Sequence, residues 1–360
     1  MRLFYNFKSN KLTRNGLLIL AIIVFCLSLI YLTTKVFIKV PDAQGLDFRF
    51  LWLAGKLWGE GKNPYDNMIW VSEYKSFFGY EKPNWAYPPH FAPILMFLAI
   101  FPFKIAELLW RVINYSSLII IIIMTGLWIK NYKVKLNFWK DIRFWIGASY
   151  CCLLQSTLIV FSLGQTSIIC VLGLVLILYG ACQNYLILGI VGGYLLSIKP
   201  QIAIVILTAL FFAGHHRIVA GSIVLITLAS ALAFYQTGLS ENIQGFLTNL
   251  SAYSQEKVNQ PPDLTGLVHL IDYFLSIQVS SKIMALFGVI LGTLCGFLIS
   301  RGRTNSLIKL GFDGSKPNFF QIGSIILTVI ATGFLMPIHV YDFVIFLPIV
   351  IASLYLPFRY

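Results

Sequence analysis

The chain has 360 residues, 58% of them hydrophobic and only 11% charged, with a formal net charge of +13 and a mean hydropathy of +0.79. A soluble domain carries about 25% charged residues, so this composition excludes a water-soluble globular protein. It also excludes nucleic acid as a partner: the bases fall in short stretches between apolar runs, as in cytoplasmic loops of membrane proteins, and no basic soluble module accompanies them.

Apolar runs close to the roughly 20 residues a helix needs to cross a bilayer recur along the chain. They are too continuous for barrel strands, which alternate. The expected fold class is therefore all-α: a polytopic membrane bundle of ten or eleven helices, organised as one domain over residues 1–360. Arg2, Lys8, Lys11 and Arg14 precede a first span at 16–38, too long for a signal-peptide core and without a small-residue cleavage site. This places the N-terminus in the cytoplasm. A polar stretch at 39–90 follows. Its acids and bases balance, which predicts an external loop, and its Trp and Tyr residues suggest short amphipathic helices on the headgroup layer. Gly59–Glu60–Gly61–Lys62–Asn63–Pro64 marks a break between two of them.

Central spans are expected over 91–236. Phe91–Pro102 and Lys104–Trp128 come first, and the segment from Lys130 to Arg143 carries five bases against Asp141, which predicts a cytoplasmic loop. An odd number of crossings must then join 91 to 129, although two segments are visible there. One span from Arg143 to Leu163 leads to an outer turn at Gly164–Gln165–Thr166–Ser167. Short apolar segments at 167–181, 185–198 and 201–213 follow, the last two broken by Lys199–Pro200–Gln201. Beyond the tip at His215–His216–Arg217, a span at 218–236 reaches a second external stretch, 237–282. The C-terminal spans lie within 283–358, interrupted by a basic loop with Arg301, Arg303, Lys309 and Lys316. The six cysteines lie in or beside apolar segments without metal-ligand spacing and read as small packing residues. No internal repeat supports an inverted-repeat transporter plan.

In this topology Asp47, Arg49, His90, Gln165, Lys199, His339 and Asp342 all map to the external side. A charged group at the centre of a span costs ~2.5–3.5 kcal/mol on insertion scales, so ionisable residues gathered near one face suggest a site. Asp47 is placed to accept a proton from a hydroxyl; the plain alternative is a helix cap or an ion pair with Arg49. Asp42 has the same chemistry but reads as a turn residue beside Pro41. Lys199, at a proline-broken hairpin, can meet an anionic headgroup or simply snorkel. Gln165 suits an anion or sugar hydroxyl, or a turn. His339 and Asp342 share an external turn, with His339 able to donate to a phosphate. Trp85–Ala86–Tyr87–Pro88–Pro89–His90 is a rigid aromatic lead-in to a span, or an interface anchor. No Walker loop, HExxH, GxSxG or paired-carboxylate DxD motif is present. That argues against an ATP or nucleotide-sugar enzyme and favours a lipid-linked donor.

Taken together, Asp47 after the first span, Gly61–Lys62–Asn63–Pro64–Tyr65–Asp66, Trp85–Ala86–Tyr87–Pro88–Pro89, Leu98 to Trp110, Leu163–Gly164–Gln165–Thr166–Ser167 and Ile198–Lys199–Pro200–Gln201 resemble glycosyltransferase family 87. The resemblance covers roughly 40–215, with a looser echo at His339–Asp342. It implies a GT-C fold and an inverting transfer of a sugar, mannose by family default. The implied donor is a polyprenyl-phosphate sugar and the acceptor an extracytoplasmic lipid or glycan. No cofactor or metal is required, and the site faces outward from the plasma membrane. It implies Asp47 as general base, Lys199 and His339 near the donor phosphate, and Arg49, Tyr87, His90, Gln165, Gln201 and Asp342 on the substrates. One departure is Ser167, where the family often has Asn. A transporter or lipid flippase is the alternative, needing a polar path across the bilayer; a non-catalytic scaffold would leave the one-sided polar cluster without a purpose.

Overall fold

The computed structural model describes residues 11–38, 45–82, 85–132, 137–256, 259, 264–276, 281–309 and 319–355. Asp42 lies outside them. The protein is an all-α polytopic membrane protein, with one two-residue antiparallel β pairing. Among the described residues four helices are long and apolar enough to cross a bilayer, over Thr13–Ile38, Phe103–Lys130, His216–Thr237 and Lys282–Arg301. A fifth candidate is the pair α6 (Ile142–Leu153) and α7 (Gln155–Leu163), bent by 46°. The expected single span from Arg143 to Leu163 is thus broken. Leu154 takes an extended conformation (φ −58°, ψ 130°), and Thr157 Oγ1 donates to the Cys151 carbonyl at 2.9 Å, satisfying a group the break releases.

The first loop folds as α2 (Leu46–Gly59) and α3 (Asn67–Phe78), parted where the Gly-Asn-Pro break was expected. Asp66 caps α3 by accepting from the amides of Met68 and Ile69. Its aromatic residues do not serve as a headgroup belt. Trp52, Trp58, Tyr65, Trp70, Tyr74 and Trp85 are buried, with Trp70 and Trp85 ring centroids 5.7 Å apart. Trp52, Trp70 and Tyr74 are buried among the aromatic rings of α2, α3 and the segment after them, and α12 (Leu239–Tyr253), an amphipathic helix of the second loop, covers Trp58, Tyr65 and Trp85. Asn242 Oδ1 accepts from Trp58 Nε1 at 3.2 Å, and the Asn249 amide donates to the carbonyls of Tyr65 and Trp85.

Between the first loop and the centre, Pro89–Ala99, which ends in α4 (Ala92–Ala99), is short. At 1.5 Å rise per residue it covers about 16 Å, roughly half a hydrocarbon core. It packs on α2, leaving α5 (Phe103–Tyr132) as the helix of this region with the length to cross. A single crossing by α5 would meet the odd number expected from the charge pattern. The central core is α8 (Ser167–Gln183) against α9 (Leu186–Leu196), followed by α10 (Pro200–Phe212) and α11 (His216–Thr237). Gly173 and Gly192 lie against each other's backbone, so a β-carbon on either would strike the facing carbonyl; small residues bring membrane helices this close.

After α12, α13 (Leu267–Leu275) leads to α14 (Ser281–Lys309) and α15 (Phe319–Leu335). The basic stretch from Arg301 to Lys309 continues α14 rather than forming a loop, since it holds no proline and its single Gly302 costs a helix only about 1 kcal/mol; Lys316 lies outside the described residues. The last expected span, 343–358, is instead a 3₁₀ segment, Val340–Phe346, running into the short α16 (Leu347–Ser353). Ahead of it, β2 (Ile338–His339) pairs with β1 (Leu264–Thr265), matching Leu264 to His339. The apolar side chains left exposed on α1 (Lys11–Thr33), such as Ile19, Leu20, Leu27 and Ile30, are those a bilayer would cover.

Candidate functional site

The site forms where α2, the α7–α8 turn, the α9–α10 break and the segment after β2 meet. At the turn, Gly164 ends α7 in the left-handed conformation (φ 73°), open to glycine at little cost. The amides of Gly164 and Gln165 both donate to the Val160 carbonyl at 3.0 Å, closing the helix end. Trp110 Nε1 donates to the Gly164 carbonyl at 2.8 Å. The Gly45 amide donates to the Ser162 carbonyl at 2.9 Å, tying the start of α2 to the same turn. Asp47 and Gln165 are therefore held by backbone contacts before their side chains meet.

Gln165 Nε2 donates to Asp47 Oδ2 at 2.5 Å. The Tyr87 hydroxyl donates to Gln165 Oε1 at 3.1 Å, and Tyr65 fixes Tyr87 by donating to its carbonyl at 2.6 Å. The chain of donors fixes the amide's orientation and leaves Asp47 Oδ1 free of Gln165. Asp47 is partly buried. Burial pushes its carboxyl above the ordinary carboxylate range and the nearby Asp342 carboxylate adds to this, while the Gln165 bond, Lys199 and Lys82 oppose it. Burial, and then the Asp47 charge, push the Tyr87 phenol well up and the Tyr253 phenol up to about 12. Both stay protonated at neutral pH and can donate.

Facing Asp47 is a buried ion pair between Lys199 and Asp342. Asp342 Oδ1 accepts from Lys199 Nζ and from Ser167 Oγ, the latter at 2.6 Å. Asp342 Oδ2 accepts from the His339 amide at 3.3 Å. Its lone pairs are thus met from three segments, which a buried carboxylate requires. Lys199 Nζ also sits 4.9 Å from the centre of the Tyr341 ring, which stacks on His339 at 4.7 Å. The His339 ring nitrogen Nε2 bonds Asn259 Oδ1 at 3.0 Å, and the Asn259 amide donates to the Tyr253 carbonyl at 2.6 Å. The second loop is in this way locked to the Lys199–Asp342 pair.

Of the residues expected at the site, Asp47, Tyr87, Gln165, Lys199, His339 and Asp342 come together. Arg49 does not pair with Asp47 but donates from Nη1 to the Tyr80 hydroxyl at 3.1 Å. His90 is buried against α9, its Nε2 2.9 Å from Ser197 Oγ. Gln201, in the first turn of α10, makes no hydrogen bond to the cluster. The sequence reading missed Tyr253, Asn259 and Tyr341. Tyr341 carried a signal, lying between two chosen residues; Asn259 stood in a polar loop with nothing to distinguish it. Ser167, noted as a departure, serves Asp342. Among the described residues no three His, Cys, Asp or Glu side chains group as a metal site.

Comparison with curated proteins and with solved structures returned no match. The family model of glycosyltransferase family 87 matches residues 85–311, well over half of the chain and inclusive of Tyr87, Gln165 and Lys199. With that match and this site, the chain belongs to glycosyltransferase family 87 and is a membrane glycosyltransferase.

Proposed function

We propose that the protein transfers a sugar, mannose, from a polyprenyl-phosphate donor to a lipid or glycan acceptor at the extracytoplasmic face of the plasma membrane. The observation that carries this is a partly buried carboxylate, Asp47, oriented by an amide and set opposite a buried lysine. Asp47 takes the proton of an acceptor hydroxyl. The freed oxygen attacks C1 of the donor sugar, the bond from C1 to the phosphate oxygen breaks, and the sugar inverts. Polyprenyl phosphate leaves with the added negative charge, which Lys199 offsets. An ammonium has three donors, and Lys199 gives one to Asp342, so a phosphate oxygen can share it without breaking the pair. His339 stands on the same side through its stack on Tyr341. Tyr87 and Gln165 hold the base in place. The absence of a DxD motif supports a lipid-linked over a nucleotide-linked donor.

The test is transfer by the purified full-length protein in nanodiscs. Polyprenyl-phosphate mannose, polyprenyl-phosphate glucose and a nucleotide mannose are offered in parallel with a mixed pool of membrane lipids and glycans. Transfer from the lipid donor alone is expected. Transfer from the nucleotide donor alone would overturn the donor class, and transfer of a different polyprenyl-linked sugar in preference would overturn mannose.

A further inference from the structure

Arg49 is the partly buried base of the first loop without a carboxylate partner among the described residues; Lys82, which has none either, is exposed. Lys56, Lys62 and Lys75 on the same loop each have a glutamate partner, Glu60, Glu73 and Glu81 in turn. Among the described residues no carboxylate pairs with Arg49. Its Nη1 donates to the Tyr80 hydroxyl, and its Nε is buried without a partner among the described residues. The guanidinium lies 5.3 Å from the Phe78 ring centre and 6.0 Å from that of Tyr80. Tyr80 is itself fixed by the buried Tyr74, with 3.2 Å between the hydroxyls. The fork is thus held by aromatic faces, partly desolvated, and without a counter-ion among the described residues.

Position decides what it faces. Asp47 and Arg49 are two residues apart on α2, roughly 200° around the helix, so Arg49 points away from the reaction centre. The helix begins shortly after the first span ends at Ile38, so Arg49, in its first turn, lies close to the end of that span, where a bilayer presents its headgroups. The oxyanion abundant there is the headgroup phosphate, and a planar fork binds phosphate through paired N–H donors. We infer that Arg49, held by Tyr80 and Tyr74, is a phosphate site for an anionic membrane-lipid headgroup, on the flank of α2 opposite Asp47. The lipid there is a bound partner of the first loop and takes no part in the transfer.

The test reads binding, not transfer, so it stands apart from the donor assignment. The thermal midpoint of the full-length protein in neutral detergent is titrated with phosphatidylglycerol, diacylglycerol and inorganic phosphate. A ligand that binds only the folded state raises the midpoint, here by about 3 °C or more at saturation. Phosphatidylglycerol is expected to do so and diacylglycerol not. Arg49→Gln should lose most of the shift. Arg49→Lys should keep part of it, and Asp47→Asn all of it. If Arg49→Gln does not fold, Tyr80→Phe keeps the guanidinium but removes the phenol that orients it, and should weaken apparent affinity about 2- to 10-fold. An equal shift with inorganic phosphate alone would support the phosphate site but assign it to the free ion. Wild-type titration curves in both Arg49→Gln and Tyr80→Phe, or equal shifts with diacylglycerol, would overturn it.

Discussion

Replacing Asp47 by Asn tests the proposed base most directly, because the substitution keeps the shape and removes the acceptor. Gln165 Nε2 is fixed as a donor by the Tyr87 hydroxyl at its other end. The new amide must therefore turn its oxygen to Gln165 and its NH₂ into the site, placing a donor where the base stood. General-base catalysis contributes typically 10²–10⁴-fold, so turnover should fall by that factor, equivalent to about 3 to 5 kcal/mol of barrier. Stability should move the other way. The Asp47 carboxyl is raised by burial, so its contribution to folding is fully present below the ordinary carboxylate pKa of about 4. That contribution is lost as pH rises through the higher value in the folded protein. At neutral pH the charged form opposes folding, and Asp47→Asn should melt at or above the wild type. Sugar transfer and thermal midpoint, measured on both proteins from acid to neutral pH, read the two effects together. The wild-type rate should rise with pH through a midpoint above the ordinary carboxylate value. Wild-type turnover in the Asn variant, or an acid limb at the ordinary value, would refute the reasoning.

Other perturbations separate the supporting parts. Removing one partner of the buried Lys199–Asp342 pair, as in Lys199→Met or Asp342→Leu, should cost about 3–5 kcal/mol. The double variant should recover much of that in thermal denaturation while transferring no sugar. Tyr87→Phe takes the hydrogen bond from Gln165 Oε1 and leaves the amide free to turn; kcat should drop about 2- to 10-fold, with KM less affected. Gly164→Ala puts a β-carbon at a positive φ and against Phe48, a strain of about 1–3 kcal/mol. It should lower both the melting midpoint and turnover, since Gln165 and Asp47 hang on that turn.

Sequence alone determined the class of this protein and, at Gly164 and Lys199–Pro200, the places where its helices break. Apolar length, the Pro of Lys199–Pro200, and Gly164 act within one or two turns of backbone, so they are legible from neighbours along the chain. The same local chemistry drew attention to Asp47, Lys199, Gln165 and the His339–Asp342 turn. What only the tertiary structure decided is which of these groups meet. Gln165 reaches Asp47 across 118 residues of chain, and Lys199 reaches Asp342 across 143. Helix packing sets those pairings, and apolar periodicity says only which residues avoid water, not which helix lies beside which. The aromatic loop shows the limit: Trp58 and Trp70 suit a headgroup layer or a core equally well by composition. It was α12, whose Asn242 lies 184 residues beyond Trp58 and which no motif distinguishes, that covered Trp58, while Trp70 is buried against Phe50, Tyr74 and Trp85. Arg49 likewise stood beside Asp47 in sequence and faces away from it in space, because two steps along a helix reverse direction.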